Sequence, residues 1–147
     1  MGEFMDACTR ASKVFRAATD TALRRHGLHL GQNLVLAALW EKDGQTPGAI
    51  AAVAHVTTPT IVKMANRMTA AGLLVRRRDE HDNRLVNLFL TDAGRALQEP
   101  VETELRALEE QLTAGMSRKE ATALMSALNR LADNAQAHLD DPVPGLD

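Results

Sequence analysis

Residues 57–97 have the sequence TTPTIVKMANRMTAAGLLVRRRDEHDNRLVNLFLTDAGRAL, and most of the fold of this 147-residue chain follows from them. The first part carries apolar residues at helical spacing, which predicts an amphipathic helix up to Gly72. The residues of its inner face are Ile61, Met64, Ala65 and Met68. Beyond the glycine, the pattern predicts two short strands, 73–78 and 85–90, on either side of the polar turn 79–83. The stretch therefore predicts a helix followed by a β-hairpin.

A second short helix is predicted immediately upstream. Thr46 is a favoured N-cap residue and Pro47 suits the first helical position, so a helix is expected from Pro47 to Ala54. A turn of three residues, 55–57, leads to the next helix, which Thr57 is expected to cap. Two helices joined in this way and followed at once by a hairpin form a winged helix-turn-helix, whose second helix enters the major groove of DNA.

Longer helices are predicted on both sides of this module. The first spans residues 3–26 and the second residues 30–40. The apolar face is formed in the first by Met5, Cys8, Ala11, Phe15, Ala18 and Ala22, and in the second by Leu30, Leu34, Val35, Leu39 and Trp40. Downstream, Thr91 is expected to cap a long helix that Pro100 kinks, because proline lacks the amide donor. The apolar stripe of that helix is Leu97, Val101, Leu105, Leu108 and Leu112.

Ser117 and Glu120 form the pattern of a capping box at the start of a last helix. Its inward-facing residues are expected to be Leu124, Leu128, Leu131 and Ala135. These stripes are too long for a small DNA-binding core to cover, so they need a partner surface. We therefore expect a single domain, 1–147, that is mostly α-helical with a small β-hairpin wing. Its expected parts are dimerisation helices 3–28 and 92–139, a winged helix-turn-helix 30–91 and a disordered tail 140–147.

The distribution of charge agrees with a nucleic-acid partner, although the net charge is only −2. Residues 57–91 contain six basic and three acidic side chains, a net charge of +3, which leaves −5 on the rest of the chain. Aromatic residues make up only 3% of the chain, so recognition of single strands by base stacking is disfavoured. There is no apolar run long enough to span a membrane and no basic secretory leader, so a cytoplasmic location and no membrane partner are expected.

The winged stretch resembles the MarR family of bacterial transcription regulators. Asp82-Asn83-Arg84 is similar to the D-x-R of that family's wing tip, and Leu90-Thr91-Asp92-Ala93-Gly94 to its L-T-x-x-G. The residues HLGQNLVLAAL also resemble the second helix of the family. The resemblance covers most of the chain, from about Met5 to Leu139.

The resemblance implies a homodimer that binds a pseudo-palindromic double-stranded DNA operator, most simply as a repressor released by a small-molecule effector. It implies that Arg84 enters the minor groove and that Asp82 holds Arg84 by an ion pair within the wing. If the apolar residues of the predicted helix that ends at Gly72 face inward, Thr58 and Lys63 are expected at base edges, and Thr60 and Arg67 at phosphates. The full set of expected DNA-binding residues is Thr57, Thr58, Pro59, Thr60, Lys63, Arg67, Arg76, Arg77, Arg78, His81, Asn83 and Arg84.

The chain departs from the family pattern at two positions. His55 lies in the turn where glycine is common, and Asn83 replaces one of two arginines at the wing tip. The first departure leaves the backbone geometry of the turn open, and the second is expected to weaken electrostatic affinity.

Other chemistry finds less support in the sequence. Cys8, the one cysteine, corresponds in position to the thiol of peroxide-sensing relatives, but this chain lacks the tyrosines that accompany it there, so a packing role is favoured over redox sensing. His26 and His29 lack further metal ligands, so no metal site is expected. The resemblance also implies an effector pocket between the dimerisation helices and the winged module. Trp40 is expected to line that pocket or simply to pack in the core, and Phe15 and His29 are weaker candidates for the pocket.

No catalytic constellation and no cofactor site is evident, so an enzyme is not expected. A winged-fold protein-interaction module that does not bind DNA remains the alternative.

Overall fold

The computed structural model describes residues 2–141, and the predicted fold class, mostly α-helical with a two-strand hairpin, is confirmed. Its elements follow in the order α1 (Glu3–Arg24), α2 (Gln32–Glu41), α3 (Pro47–Ala54), α4 (Thr58–Ala70), β1 (Leu74–Arg78), β2 (Val86–Leu90), α5 (Asp92–Ala96), α6 (Gln98–Leu112) and α7 (Arg118–Asp140). The chain divides into two compact units, Met1–Leu108 and Glu109–Asp147. Within residues 2–141, no helix is long and apolar enough to span a membrane. The cytoplasmic location and the single domain stay predictions.

The helix-turn-helix has the local geometry that its sequence predicts. The Thr46 hydroxyl accepts the Ala49 N–H at 3.2 Å, which caps α3, and α3 ends at Ala54. His55 takes the left-handed conformation at φ 56°, so it occupies the glycine-like position of the turn. This conformation costs a side-chain-bearing residue roughly 1–2 kcal/mol, and it reverses the chain tightly enough for α4 to begin three residues later.

The start of α4 differs from the prediction in one detail. Thr57 occupies the N-cap position, but its side chain makes no capping bond to the backbone. Its hydroxyl instead lies 2.8 Å from the Thr60 hydroxyl, within hydrogen-bond distance. Thr57 is therefore the N-cap residue, as predicted, but its hydroxyl pairs with a second hydroxyl one turn along the helix rather than with a backbone N–H.

The core of the first unit joins the helix-turn-helix to the hairpin. Its largest fully buried side chains are Leu23, Leu28, Val35, Leu36, Leu39, Ile50, Ile61, Met68, Leu74, Leu88 and Val101. The prediction that Leu34 faces inward was wrong, because 38% of this residue is exposed while Leu36 is buried. The inner face of α2 is Gln32, Val35, Leu36 and Leu39, at the spacing i, i+3, i+4 and i+7, and position 34 lies opposite that face.

The hairpin is antiparallel and is fixed to the helical core at its base. Its register pairs Leu74 with Leu90 at the base and Arg78 with Val86 near the tip. Gln45, in the loop between α2 and α3, exchanges two backbone hydrogen bonds with Leu88, of 2.8 and 3.2 Å. The loop between α2 and α3 is therefore joined to the middle of β2 by an isolated β-bridge.

The predicted kink at Pro100 is a break in the structure. α5 ends at Ala96 and α6 begins at Gln98, so Leu97 separates two helices where one was expected. Proline at position 100 has no N–H to donate to the Ala96 carbonyl, and its ring crowds that oxygen, so the helix is interrupted there. Thr91 caps α5 as predicted, since its hydroxyl accepts the Gly94 N–H at 3.1 Å.

The last helix has the predicted start but no buried face within the chain. The capping box of Ser117 and Glu120 is present. None of the α7 residues is buried in the isolated chain, so the packing of Leu124, Leu128, Leu131 and Ala135 against a partner surface stays a prediction. The expected tail started at residue 140, but Asp140 is the last residue of α7, and residues 142–147 lie outside the described part.

Gly94 provides a test of the packing between the hairpin and α5. A Cβ at this position would collide with the Leu73 carbonyl oxygen and lie 3.3 Å from Leu90 Cδ2. Because the obstacle is backbone, we expect Gly94→Ala to lower the free energy of unfolding by about 1–3 kcal/mol in urea denaturation.

Gly48 is the matched control, since its Cβ would meet only the Thr58 hydroxyl at 4.0 Å. We expect Gly48→Ala to be neutral or to stabilise the protein by roughly 0.5 kcal/mol. Equal effects of the two substitutions would contradict the packing described for Gly94.

Candidate nucleic-acid interface

The outer face of α4 is polar and basic. Ile61, Ala65 and Met68 are buried on the inner face, and Met64 is partly buried beside them. The exposed residues at the start and along the outer face include all the predicted contacts, namely Thr57, Thr58, Pro59, Thr60, Lys63 and Arg67. This helix therefore presents hydroxyls, one ammonium and one guanidinium on the side away from the core.

The three consecutive arginines of β1 do not form one patch. All three are exposed, but successive side chains of a strand point to opposite faces, so Arg77 lies on the other face from Arg76 and Arg78. The Arg77 guanidinium lies 5.0 Å from the centre of the Phe89 ring, a cation–π contact. Arg78 donates from Nη1 to the Asn83 carbonyl at 2.9 Å, so it also stabilises the turn.

The side chain of Arg84 is held at the tip of the wing by Asp82. Arg84 Nε lies 3.0 Å from Asp82 Oδ1 and Nη2 lies 3.1 Å from Oδ2, while 90% of the arginine side chain remains exposed. The Arg84 backbone N–H also donates to Asp82 Oδ1 at 3.0 Å. The side-chain bonds from Arg84, followed by this backbone bond, lower the pKa of Asp82 below its ordinary value. The arginine is therefore directed outward and remains accessible.

From the sequence alone, Asp79 was counted only as one acid of the polar turn. Its carboxylate accepts three hydrogen bonds, as many as the carboxylate of Asp82. Asp79 Oδ1 accepts the N–H groups of His81 and Asp82 at 2.8 and 3.0 Å, and Oδ2 accepts the side-chain amide of Asn87 at 3.0 Å. The bond from Asn87, followed by the two backbone bonds, lowers the pKa of Asp79. An aspartate at the start of a turn commonly accepts the backbone N–H two residues along the chain, and this pattern could have identified Asp79 from the sequence.

The other two predicted residues of the tip are exposed. His81 donates its backbone N–H to Asp79, and the Asn83 carbonyl accepts from Arg78. Their side chains make none of the hydrogen bonds found within residues 2–141, so both remain available to a partner.

The expected effector residues do not come together in one cavity. Trp40 lines a cleft of about 450 Å³ between α2 and α6, together with Asn33, Ala37, Glu41, Gln98, Val101, Glu102 and Leu105. Its indole N–H donates to the Gly94 carbonyl at 3.0 Å, so this ring also joins α2 to α5. Phe15 and His29 are exposed elsewhere and do not line this cleft.

The cysteine and the histidines were the other candidates for chemistry. Cys8 is half-buried on α1. His26 Nε2 lies 3.6 Å from Glu104 Oε2, in a contact between the end of α1 and α6. No group of three or more potential metal ligands occurs in the part of the chain that the structure describes.

A helix-turn-helix followed by a braced two-strand hairpin defines the winged helix-turn-helix class. The family model described as transcriptional regulator SarA/Rot matches residues 18–101, more than half of the chain. The chain belongs to the family that this model describes, the SarA/Rot transcriptional regulators, and the resemblance to winged helix-turn-helix regulators of the MarR family is confirmed, since solved structures of that family share the fold.

Three relatives illustrate this membership. The chain is similar to the HTH-type transcriptional regulator TtmR of Methylorubrum extorquens, with 32% identity over 86% of this chain and 64% of TtmR. The chain therefore spans less than two thirds of that relative. A probable transcriptional regulator from Pseudomonas aeruginosa has 25% identity and a TM-score of 0.80, covering 88% of this chain and 96% of its own. The transcriptional repressor CouR, solved bound to a 23-mer DNA duplex, has 29% identity and a TM-score of 0.80, covering 90% of this chain and 96% of its own.

Proposed function

We propose that this protein is a repressor that binds a pseudo-palindromic DNA operator as a homodimer, with α4 in the major groove and the wing tip in the minor groove. The single observation that carries the proposal is the exposed Arg84 side chain, held by Asp82 at the tip of a braced hairpin. A guanidinium directed outward in this way matches the narrow minor groove, where the negative potential is strongest. The structure of CouR with a DNA duplex supports the same class of partner.

The contacts divide into two kinds. Thr58 and Lys63 lie on the outer face of α4 and are assigned to base edges, where Pro59 can touch a thymine methyl group. Thr60 and Arg67 are assigned to phosphates, with Thr57 beside Thr60. The remaining phosphate and groove contacts are assigned to the exposed wing residues Arg76, Arg77, Arg78, His81 and Asn83. Arg77 and Arg78 bind DNA in this proposal while keeping their contacts within the wing.

Arg84→Ala tests the DNA assignment. Loss of a charge-assisted contact costs about 1.5–3 kcal/mol, so we expect operator affinity to fall by at least about tenfold. The log–log slope of affinity against salt should also become shallower by about one for each subunit, because fewer counterions are released. Both quantities come from electrophoretic or fluorescence titrations at several salt concentrations, with an operator selected by the wild-type protein from a random duplex library.

Arg130→Ala is the control, since Arg130 is an exposed arginine of α7 outside the winged module. We expect it to change operator affinity less than twofold. If wild-type affinity for duplex DNA does not depend on salt, or if Arg84→Ala leaves binding unchanged, the protein-interaction alternative replaces this proposal.

The dimer is supported by apolar side chains that the chain leaves exposed. On α1 these are Phe4, Met5, Val14 and Phe15, and on α7 they are Leu124, Met125, Leu128, Leu131 and Leu139. Exposed apolar stripes of this length mark an interface with another chain. A second copy supplies the same stripes and gives the two-fold symmetry that a pseudo-palindromic operator requires.

Leu128→Glu tests the dimer. Leu128 is 53% exposed in the isolated chain, so a carboxylate there should leave the subunit folded, but it would be buried unpaired in the dimer. We expect the molar mass at micromolar concentration, measured by sedimentation, to fall to that of a monomer. Ser126→Glu adds the same charge on the opposite face of α7 and should leave the dimer intact. A dimeric Leu128→Glu protein would contradict this interface.

The effector response is assigned to the cleft at Trp40. The cleft is concave, lies between α2 and α6, and is lined by both apolar and carboxylate side chains. The dimer is taken to have two states, one whose two α4 helices match the spacing of the major groove and one whose α4 helices do not. A ligand that binds the second state more tightly would lower operator affinity by up to the ratio of its affinities for the two states. No observation on the described residues favours the thiol-sensing alternative at Cys8.

Trp40 is the one tryptophan of the chain, so its fluorescence reports directly on this cleft. We expect any compound from a panel of aromatic acids and metabolites that lowers operator affinity also to change Trp40 emission. Ala37→Phe, which fills the cleft, should weaken both effects about tenfold. The response is disproved if no compound alters operator affinity, and the site is wrong if an active compound is insensitive to Ala37→Phe.

A further inference from the structure

We propose that Asp79 is a positioning residue for DNA recognition: by fixing the backbone of the wing tip, it sets where the Asp82–Arg84 pair lies. The inference rests on the proposed function, since it concerns how Arg84 is presented to the minor groove. Asp79 itself stands at the end of β1 and would touch no DNA in this role.

Asp79 bonds to both sides of the tip. Its Oδ1 accepts the N–H groups of His81 and Asp82, which fixes the first half of the turn. Its Oδ2 accepts the Asn87 side chain, which ties this half to β2. The Asp79 backbone N–H donates to the Leu85 carbonyl at 3.0 Å and closes the turn. The Asp79 carboxylate therefore connects the turn to β2, and the residue itself directly follows the last residue of β1.

Asp82 depends on this arrangement. Its backbone N–H is bound by Asp79, and its own carboxylate then accepts the backbone N–H, Nε and Nη2 of Arg84. The two aspartates form successive turns of the same kind, each accepting the N–H two residues along the chain. If the first turn is released, the Asp82 carboxylate no longer has a fixed direction in which to hold the arginine.

A simple charge argument predicts the opposite effect on DNA binding. Asp79 is an acid close to the proposed phosphate contacts, so removing its charge alone should strengthen binding to any duplex. The positioning role predicts that removing its hydrogen bonds weakens binding to the operator. The two explanations therefore predict opposite changes in affinity for the operator, so one experiment can decide between them.

Three variants separate them. Asp79→Ala removes both the charge and the hydrogen bonds, and Glu80→Ala removes the same charge from the neighbouring exposed residue. Asp79→Asn removes the charge but keeps an amide oxygen for the His81 and Asp82 N–H groups, while the Asn87 amide can turn to accept from it.

Affinity is measured for the selected operator and for a scrambled duplex of the same length and composition. We expect Asp79→Ala to lower the ratio of specific to non-specific affinity about three- to tenfold. Asp79→Asn and Glu80→Ala should keep the ratio within about twofold of the wild-type value. In an Arg84→Ala background, Asp79→Ala should change the ratio by less than about twofold, because a residue that acts through Arg84 has nothing left to position.

The second readout, the pKa of the Asp82 carboxyl by NMR titration, needs no DNA. The negative charge of Asp79 raises the pKa of Asp82 by repulsion, whereas the hydrogen bonds from Arg84 lower the pKa of Asp82. If Asp79 positions the pair, Asp79→Ala should raise the pKa of Asp82 through loss of the Arg84 bonds, while Asp79→Asn should lower it through loss of the repulsion alone.

A lower Asp82 pKa in Asp79→Ala, or an operator ratio equal to that of Glu80→Ala, overturns the positioning role even if the protein binds DNA as proposed. Failure of the wild-type protein to prefer any duplex overturns the proposed function instead, and the Asp82 titration still decides whether Asp79 holds the pair.

Discussion

The wing depends on the two backbone hydrogen bonds that join Gln45 to Leu88. A two-stranded hairpin is only marginally stable in water by itself, so it needs a further strand or a packed face. The Gln45 bridge adds a pair of backbone hydrogen bonds to β2, and burial of Leu74 and Leu88 in the core supplies the packed face. The Asp43 carboxylate adds a third attachment by accepting the Leu90 N–H at 2.9 Å.

This anchoring affects Arg84, which lies at the far end of the hairpin. Arg84 is highly exposed, and an exposed long side chain ordinarily has many conformations. Its direction is restricted here by a chain of short contacts, from the anchored strands to Asp79, to Asp82 and then to the guanidinium. In the proposed function, this order lowers the entropy that the arginine loses on entering a groove.

The basic residues of the wing have more than one role. The sequence places six of them between residues 57 and 91, and their net excess suggests a uniform phosphate-binding surface. In the structure, however, the Arg77 guanidinium contacts the Phe89 ring, and Arg78 donates a hydrogen bond to the Asn83 carbonyl. Counting charges along the chain therefore identified where the basic residues cluster but not the separate contacts of their side chains.

The sequence by itself determined the order and the approximate ends of the helices and strands, and the residues at the wing tip. These features are local: Thr46, Thr91 and Ser117 cap the helices they precede, and Pro100 lies in the first turn of α6, just after the interruption at Leu97. Only the tertiary structure decided that α2 turns Leu36 rather than Leu34 inward and that Trp40 bonds to Gly94. It also revealed that none of the α7 residues is buried. Such outcomes depend on which surfaces of distant segments meet, and no local pattern of residues contains that information.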